Sequence, residues 1–343
     1  MGVCCKRMKN SECWERLDGL SCKQGQESEF KESRNGTTPV KRNGRLEVRG
    51  LSIVNEYGEP VILRGISTHG LHWEGMASFV NKKGFQTLRD DWGGDLIRLV
   101  CYVTQNGYTH GKKEFYDQVI ERGVEYASEL GMYVMIDWHI HEENPNSFLE
   151  EAKEFFGNYS LKYKEYTNIL YEICNEPTDT PWPKIKQYAI PVIEEIRRND
   201  KKAIVVVGTN TWAQDVEEVG RNGGRIQGEN IMYALHFYSG SHNEALREKA
   251  RIALSEGTPI YCSEFGVCHA SGDQGVDLEE ANRWIDFLEE NKISYTCWSL
   301  CNKPESASLL LPHCRKKYDW SEEDLSVAGR WLLHRYRCNA TTI

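Results

Sequence analysis

A glutamate that could transfer protons follows an apolar segment of the chain. Residues 169–174 form a run rich in residues that favour β-strands, and Asn175, Glu176 and Pro177 come directly after it. Such a run is typical of a buried strand, and the proline stops it. The carboxyl group of Glu176 is therefore expected where a buried strand meets solvent. Partial burial raises a carboxyl pKa, which lets the group donate a proton near neutral pH.

A second glutamate, Glu264, follows another strand-like run at residues 259–262. Two carboxyl groups that face one cavity are the minimum requirement for hydrolysis of a glycosidic bond. One group protonates the leaving oxygen, and the other attacks the anomeric carbon or activates water. Arg98 could keep the attacking carboxylate ionised, because a nearby cation lowers a carboxyl pKa. Asn175 could hold a sugar 2-hydroxyl group.

Further side chains of suitable chemistry lie near other strand-like runs. His236 and Tyr238 could orient one of the two acids by hydrogen bonding. Trp73, Trp212 and Trp298 offer flat apolar faces on which sugar rings could stack. These residues add a possible binding surface to the two carboxyl groups.

Eight strand-like runs alternate with segments of helical periodicity. The predicted strands are residues 61–66, 95–102, 133–136, 169–174, 203–207, 231–235, 259–262 and 294–297. The predicted helices are residues 113–130, 184–198, 243–255, 277–291 and 322–336. This alternation indicates a parallel sheet. Eight such units over about 250 residues predict an α/β fold, a closed (β/α)8 TIM barrel.

The rival architecture is an open, doubly wound sheet. It usually has fewer strands and carries a glycine-rich phosphate loop after the first strand. Arg64, Gly65 and Ile66 do not form such a loop. In a barrel, the active site lies at the C-terminal ends of the strands. The residues that map there are His69, Arg98, His139, Asn175, Glu176, His236, Tyr238, Glu264 and Trp298.

Composition limits the possible partners of the chain. Its 343 residues can bury a core large enough for one barrel. A net charge of -9 argues against a nucleic-acid partner. No apolar run approaches the roughly 18 residues that span a membrane, so no membrane partner is expected.

The chain divides into four predicted parts. Residues 1–22 form a cysteine-rich N-terminal segment and residues 23–43 a linker. Residues 44–337 form the catalytic barrel, with a short β-hairpin that could plug its N-terminal mouth, and residues 338–343 form a tail. The cysteines of the N-terminal segment, Cys4, Cys5, Cys13 and Cys22, could form a disulfide-linked module or a metal knuckle, although their spacing does not favour zinc. Disulfide pairing is also open for Cys268, Cys301, Cys314 and Cys338.

Eight segments together resemble the family 5 glycoside hydrolases, and most closely their bacterial-type endoglucanases, or cellulases. The segments are residues 63–71 (LRGISTHGL), 97–99 (IRL), 136–139 (IDWH), 171–177 (YEICNEP), 208–216 (GTNTWAQDV), 233–238 (YALHFY), 263–266 (SEFG) and 298–303 (WSLCNK). The likeness runs in order from about residue 44 to residue 337. Ser263 and the segment from Trp298 to Lys303 depart from the usual residues of the family.

The resemblance implies a retaining endo-β-1,4-glucanase that acts by double displacement, with Glu176 as acid/base and Glu264 as nucleophile. The resemblance also implies a set of supporting residues, which are Arg98, His139, Asn175, His236 and Tyr238. The substrate-binding residues are His69, Trp73, Trp212, Trp298 and Lys303. The resemblance further implies a polysaccharide substrate, no metal or organic cofactor, an extracellular location and a monomer.

Other functions remain open from the residues alone. Mannan, xyloglucan or mixed-linkage glucan could replace β-1,4-glucan, because loops set subsite preference. A metal-dependent barrel hydrolase is a second alternative, since His139 with His141 and His69 with His72 have ligand-like residue types. A carbohydrate-binding barrel without activity would require one of the two carboxylates to be lost.

Overall fold

Eight parallel strands close into a barrel in the computed structural model, which describes residues 37–221 and 223–339. The strands are β1 (Glu47–Arg49), β2 (Ser52–Val54), β3 (Arg64–Thr68), β4 (Leu96–Tyr102), β5 (Tyr133–His139), β6 (Ile169–Glu172), β7 (Ile204–Val207), β8 (Ile231–Tyr238), β9 (Ile260–Gly266) and β10 (Tyr295–Leu300). Strands β3 to β10 pair in chain order, and β10 closes on β3. The predicted (β/α)8 barrel is therefore confirmed.

The α-helices alternate with the barrel strands. They are Pro39–Asn43, Lys82–Asp90, Lys113–Glu129, Leu149–Lys162, Trp182–Asn199, Glu218–Arg221, Glu244–Ser255, Leu278–Glu290 and Val327–Asn339. Short 3-10 turns are Met76–Phe79, Tyr108–His110, Pro145–Phe148 and Glu322–Asp324. A further short turn, Asn210–Ala213, contains residues with left-handed backbone angles.

Five helices match the sequence prediction to within five residues at either end, and four helices were not predicted. Two of these four, Pro39–Asn43 and Glu218–Arg221, have only four or five residues, and the other two are longer. The first, Lys82–Asp90, has Gly84 in its opening turn, which weakens the helical signal. The second, Leu149–Lys162, buries Ala152, Phe155 and Tyr159 at helical spacing, so its signal was present in the sequence. The last helix begins at Val327 rather than near residue 322, because a 3-10 turn precedes it.

The antiparallel hairpin of β1 and β2 closes the N-terminal mouth of the barrel. Buried Leu46 and Ile53 pack with residues at the starts of barrel strands, including Leu96, Tyr133 and Ile204. The short helix Pro39–Asn43, in the region predicted as a linker, contributes Val40 to this cluster. The predicted plug is confirmed, and the opposite, C-terminal end of the barrel stays open.

Five barrel strands extend beyond their predicted ends, and β3 does so by two residues, to Thr68. Strands β5, β8, β9 and β10 continue for three or four residues, to His139, Tyr238, Gly266 and Leu300. The polar residues that the sequence placed after these strands are therefore still paired in the sheet. A strand holds a side chain more rigidly than a loop does, so the candidate chemistry is built on the rim of the barrel.

The remaining sequence predictions concern the N-terminal region, the cysteines and membrane-spanning segments. The cysteine-rich segment, residues 1–22, lies outside the described residues, as does most of the predicted linker. Cys268, Cys301 and Cys314 are free, buried thiols, although the sequence left their pairing open. Cys338 is disulfide-bonded. Within the part of the chain that the structure describes, no helix is long and apolar enough to cross a membrane.

Candidate active site

A cavity of about 620 Å³ opens at the C-terminal ends of the strands. All predicted site residues line it except Arg98 and Asn175, which lie buried beneath it. The predicted residues that line it are His69, Trp73, His139, Glu176, Trp212, His236, Tyr238, Glu264, Trp298 and Lys303. Residues distant in sequence thus share one cavity, as the barrel prediction requires.

The two glutamates face each other across this cavity. One carboxylate oxygen of Glu176 and one of Glu264 lie within 4.8 Å of each other. Both residues are buried, with exposed fractions of 8% and 4%. The gap between them is narrow enough for one bond of a bound substrate.

Glu264 lies between two hydrogen-bond donors. Arg98 Nη1 donates to its Oε2 at 3.0 Å, and the Tyr238 hydroxyl donates to its Oε1 at 2.7 Å. A Cβ atom at Gly266 would lie 2.4 Å from the Tyr238 ring, so glycine at 266 leaves the space that this ring occupies. These two donors hold both oxygens of the Glu264 carboxyl group in a fixed orientation.

Glu264 faces the cavity because β9 contains an extra residue. Ala234 and His236 of β8 pair with Tyr261 and Glu264 of β9, so two steps along β8 match three along β9. A strict alternation would turn Glu264 away from the side on which Ser263 lies. The β-bulge lets Ser263 and Glu264 both contact side chains inside the barrel, as bulges beside active sites commonly do.

Arg98 connects the site to a buried charge network. Its Nε donates to Glu172 at 2.6 Å, and its Nη2 lies 3.1 Å from Asp137. Burial opposes the charge of the guanidinium, but the carboxylates of Asp137, Glu172 and Glu264 outweigh it and raise the pKa of Arg98. Arg98 is therefore a permanent cation beneath the cavity.

Glu176 has a different environment. Burial raises its pKa above the ordinary glutamate value, and the neighbouring charge of Glu264 adds to that effect. A contact of 3.0 Å between its Oε2 and His236 Nδ1 acts in the opposite direction. The net shift favours a protonated carboxyl group, which is the form needed by a general acid.

His236 joins the acid side of the site to the buried network. Its Nδ1 contacts Glu176, and its Nε2 lies 2.9 Å from Ser263 Oγ. Burial opposes its charge, but hydrogen bonds to Glu172 and Glu176 and the charge of Glu264 raise the pKa of His236 to about 9. An imidazolium at this position restrains the Glu176 carboxyl group.

His139 is held in a neutral form. Its Nδ1 lies 2.6 Å from Asp137 Oδ2, and burial with the nearby charge of Arg98 holds the pKa of His139 well below its usual value. Asn175 donates to Ile140 O at 3.0 Å and accepts from Arg98 Nη2 at 2.6 Å. The Asn175 amide is thus used within the protein, where the sequence suggested a contact with sugar.

Aromatic and charged side chains form the walls of the cavity. Trp298 stacks on His139 with ring centroids 5.5 Å apart and an interplanar angle of 13°. On the next part of the wall, Lys303 Nζ lies 5.0 Å from the Trp73 ring centroid. Trp212 is 44% exposed at the rim and has a left-handed φ of 54°. These faces suit the stacking of a sugar chain.

The model of the family described as cellulase, glycosyl hydrolase family 5, matches residues 54–304. The chain belongs to this family. It is 44% identical to endoglucanase A of Evansella cellulosilytica over 83% of this chain and 58% of that protein. It is 40% identical to an endoglucanase of Clostridium saccharobutylicum over 84% of this chain and 64% of that protein. The chain thus spans about three fifths of the length of these relatives.

Solved structures of family 5 enzymes share the fold. The catalytic domain of Thermobifida fusca endoglucanase Cel5A superposes with a TM-score of 0.82 at 35% identity, over 87% of this chain and 99% of that one. A variant of the same domain has been solved in complex with cellotetraose, with a TM-score of 0.82 at 34% identity, over 87% of this chain and 99% of that one.

Sequence reasoning missed several residues of this family 5 site. Asp137 and Glu172 are fully buried in strands β5 and β6, where they contact Arg98. A charged residue inside an apolar strand run needs a partner, and that signal could have identified both. Tyr102, His141 and Glu305 also line the cavity and were not predicted as site residues.

The histidine pairs considered as metal ligands have other contacts in this family 5 barrel. His72 Nδ1 contacts the Tyr116 hydroxyl, and its Nε2 lies 3.0 Å from Gln105 O. His139 Nδ1 contacts Asp137, while His141 Nε2 lies 3.6 Å from Glu176. The nitrogens of His139 and His141 therefore contact different protein groups, and His72 contacts neither His69 nor a carboxylate through these bonds. His69 lies close to Cys301 and Glu305, and these three residues have ligand-like chemistry.

Proposed function

We propose that the chain is a retaining endo-β-1,4-glucanase that cleaves internal bonds of cellulose or a related β-glucan. The observation that carries the mechanism is the separation of Glu176 and Glu264, whose nearest oxygens lie within 4.8 Å. Carboxyl groups of retaining enzymes lie about 5–5.5 Å apart, whereas those of inverting enzymes lie about 6.5–9.5 Å apart to admit a water. The short gap supports direct attack by a carboxylate.

Glu264 is the nucleophile in this proposal. The donors Arg98 and Tyr238 hold its two oxygens and aim the carboxylate at the anomeric carbon. Attack forms a glycosyl ester on Glu264 as the bond to the leaving oxygen breaks. Arg98 is fully buried, so the carboxylate is held from inside the barrel and its other face stays open to the sugar.

Glu176 is the acid/base. In the first step it gives its proton to the leaving oxygen, and in the second it takes a proton from the water that attacks the ester. Because its pKa is raised, Glu176 can carry the proton that the first step requires. His236, 3.0 Å away, then stabilises the carboxylate that remains.

Three observations support a β-1,4-glucan substrate. Relatives at 44% and 40% identity are named endoglucanases, and the Cel5A neighbour was solved with cellotetraose. The cavity also carries exposed aromatic faces, as stacking of glucose rings requires. A polymer of this kind cannot cross a membrane, which supports an extracellular location. We further propose that the protein acts as a monomer, because all the residues assigned here come from one chain.

The substrate proposal is tested by a panel of soluble polymers with products sized over time. We expect the fastest cleavage on β-1,4-glucan, with early products of mixed length, as internal cleavage gives. Faster turnover of mannan or xyloglucan would replace the proposed substrate. Release of only one short product from the start would contradict internal cleavage.

The roles of the two glutamates are tested by Glu176→Gln and Glu264→Gln. Loss of the acid/base should lower kcat by about 10²–10⁴-fold on unactivated substrates, and loss of the nucleophile should cost at least as much. Circular dichroism checks that both variants fold. Glu154→Gln, which changes a 60% exposed glutamate, is the matched control and should keep full activity. Near-normal activity in either site variant would remove its role.

Azide separates the two roles. Glu264→Gly should regain activity with azide and give a product of inverted configuration, because azide attacks from the side that the nucleophile vacates. Nuclear magnetic resonance of the product anomer measures the outcome. A rescued product with the original configuration would contradict the assignment of Glu264.

A further inference from the structure

His141 lies beside Glu176 and is not used in the proposed two-step reaction. Its Nε2 is 3.6 Å from Glu176 Oε1, and its side chain is 36% exposed at the cavity. The other oxygen of Glu176, Oε2, contacts His236. The carboxyl group of Glu176 therefore lies between two imidazole rings, one buried and one reached by solvent.

The chain around His141 is held in place. The backbone N–H groups of His141 and Glu142 both donate to Glu143 Oε2 at 3.2 Å, and Thr104 donates to the other oxygen of Glu143. These hydrogen bonds hold the segment that follows β5 in place. They therefore also fix the position of His141 relative to Glu176. The Nδ1 atom of His141 is buried and has no hydrogen-bond partner among the described residues, so the cavity-facing contact of this ring is the one its Nε2 makes with Glu176.

Other charged and titratable groups face this pair from several elements. They are Glu142 and Glu143 on the same segment, His139 on β5, Tyr102 on β4, His236 and Tyr238 on β8, and Glu264 on β9. Glu264 favours the protonated form of Glu176, while His236 and His141 favour the ionised form. Of these two histidines, His236 is buried, whereas the side chain of His141 is 36% exposed.

We propose that His141 is a positioning residue that stabilises the ionised Glu176 carboxylate and so sets the alkaline limit of activity. This inference rests on the acid/base role proposed above for Glu176. A cation or N–H donor beside the carboxylate makes proton transfer to the leaving oxygen easier. It also holds the carboxylate in place until water enters for the second step.

A charge series at residue 141 tests this role. His141→Leu removes the donor and the charge, and His141→Lys makes the charge permanent. The measurement is the pH dependence of kcat/KM on a soluble neutral β-glucan such as hydroxyethyl cellulose. The alkaline limb should shift to higher pH by about 0.5–1 pH unit in the Leu variant. In the Lys variant the alkaline limb should shift to lower pH. Limbs that stay in place, or that move in the same direction, would overturn the proposal.

Two further measurements separate this role from a structural one. His313→Leu makes the same change at an exposed histidine outside the cavity and should leave the pH profile unchanged. Carbon-13 magnetic resonance of the Glu176 carboxyl, assigned with Glu176→Gln, should give a titration midpoint that rises in the Leu variant and falls in the Lys variant. Equal midpoints would overturn the proposal even if the wild-type chain hydrolysed none of the polymers.

Discussion

The residues around the two carboxylates differ in ways that match their proposed roles. Glu264 accepts hydrogen bonds from Arg98 and Tyr238, which orient its carboxyl group. Glu176 is buried beside a histidine, and its pKa is raised. Two like groups in one cavity thus have different surroundings, and the raised pKa of Glu176 suits a proton donor.

The hydroxyl of Tyr238 allows a test at the scale of one atom. Tyr238→Phe removes the donor to Glu264 Oε1 and keeps the ring that packs beside Gly266. A hydrogen bond to a charged group contributes about 1.5–3 kcal/mol, so kcat should fall by about 10–100-fold. Steady-state kinetics measures the change in kcat.

The loss of a tyrosine hydroxyl has its own control. Tyr57→Phe removes a hydroxyl from a tyrosine that is 69% exposed and should leave kcat unchanged. A folded Tyr238→Phe enzyme with unchanged kcat would show that the Tyr238 hydroxyl does not support the nucleophile.

At the scale of elements, the ends of the strands position the chemistry. The bulge in β9 turns Glu264 towards Arg98, and the extension of β8 to Tyr238 brings the phenol over the same carboxylate. A similar register shift occurs in β10 between Cys297 and Leu300, next to Trp298. Irregular pairing is thus found where side chains must leave the regular alternation.

A substitution in the hairpin at the other end of the barrel should lower stability without lowering activity. Ile53 is 1% exposed and packs against the starts of the barrel strands. Ile53→Ala should lower the free energy of unfolding by about 2–4 kcal/mol through lost burial and a residual cavity. Because the hairpin lies opposite the active-site mouth, kcat should stay within a factor of about two. Urea denaturation and initial rates measure the two quantities.

A control variant shows how much a substitution at an exposed position near the hairpin changes stability. Tyr57→Ala changes an exposed residue of the loop after the hairpin and should alter unfolding by less than about 0.5 kcal/mol. If folded Ile53→Ala lost kcat, the packing of the hairpin would be shown to affect the geometry of the active site.

At the scale of the whole molecule, the barrel encloses charges that a small core could not hold. Arg98, Asp137 and Glu172 are all fully buried between the hydrophobic plug and the cavity. Breaking such a network by removing one member is costly, because the others remain buried without a partner. The closed sheet keeps them in place and gives a rigid floor to the cavity.

This buried network predicts how stability depends on pH. The pKa of His236 is raised from 6.5 to about 9, so the folded state holds this proton more tightly than the unfolded state. The stability from this group is fully present below about pH 6.5 and is lost as the pH rises through about 9. Between pH 6.5 and 9.5, wild type should lose about 3 kcal/mol more unfolding free energy than His236→Gln.

Urea denaturation of both proteins at the two pH values measures that difference. Other groups titrate in the same range in both proteins, so only the difference between the proteins reports on His236. An equal loss in wild type and variant would show that His236 is not charged in the folded protein near neutral pH.

The sequence by itself determined the barrel and brought both glutamates to strand ends. These signals are local, because apolar runs and their periodicity act over a few positions. It also identified Arg98 as a cation within a strand. It did not reveal the helix Leu149–Lys162, although the spacing of the buried residues in that helix was sufficient.

Only the tertiary structure decided how these residues meet. The bulge that turns Glu264 inward depends on hydrogen bonding between β8 and β9, and the contact of Asn175 with Arg98 depends on barrel closure. The gap between Glu176 and Glu264 is likewise set by several strands together. Periodicity assigns a side chain to a face of its own strand, whereas distances across a closed sheet follow from the packing of all its strands.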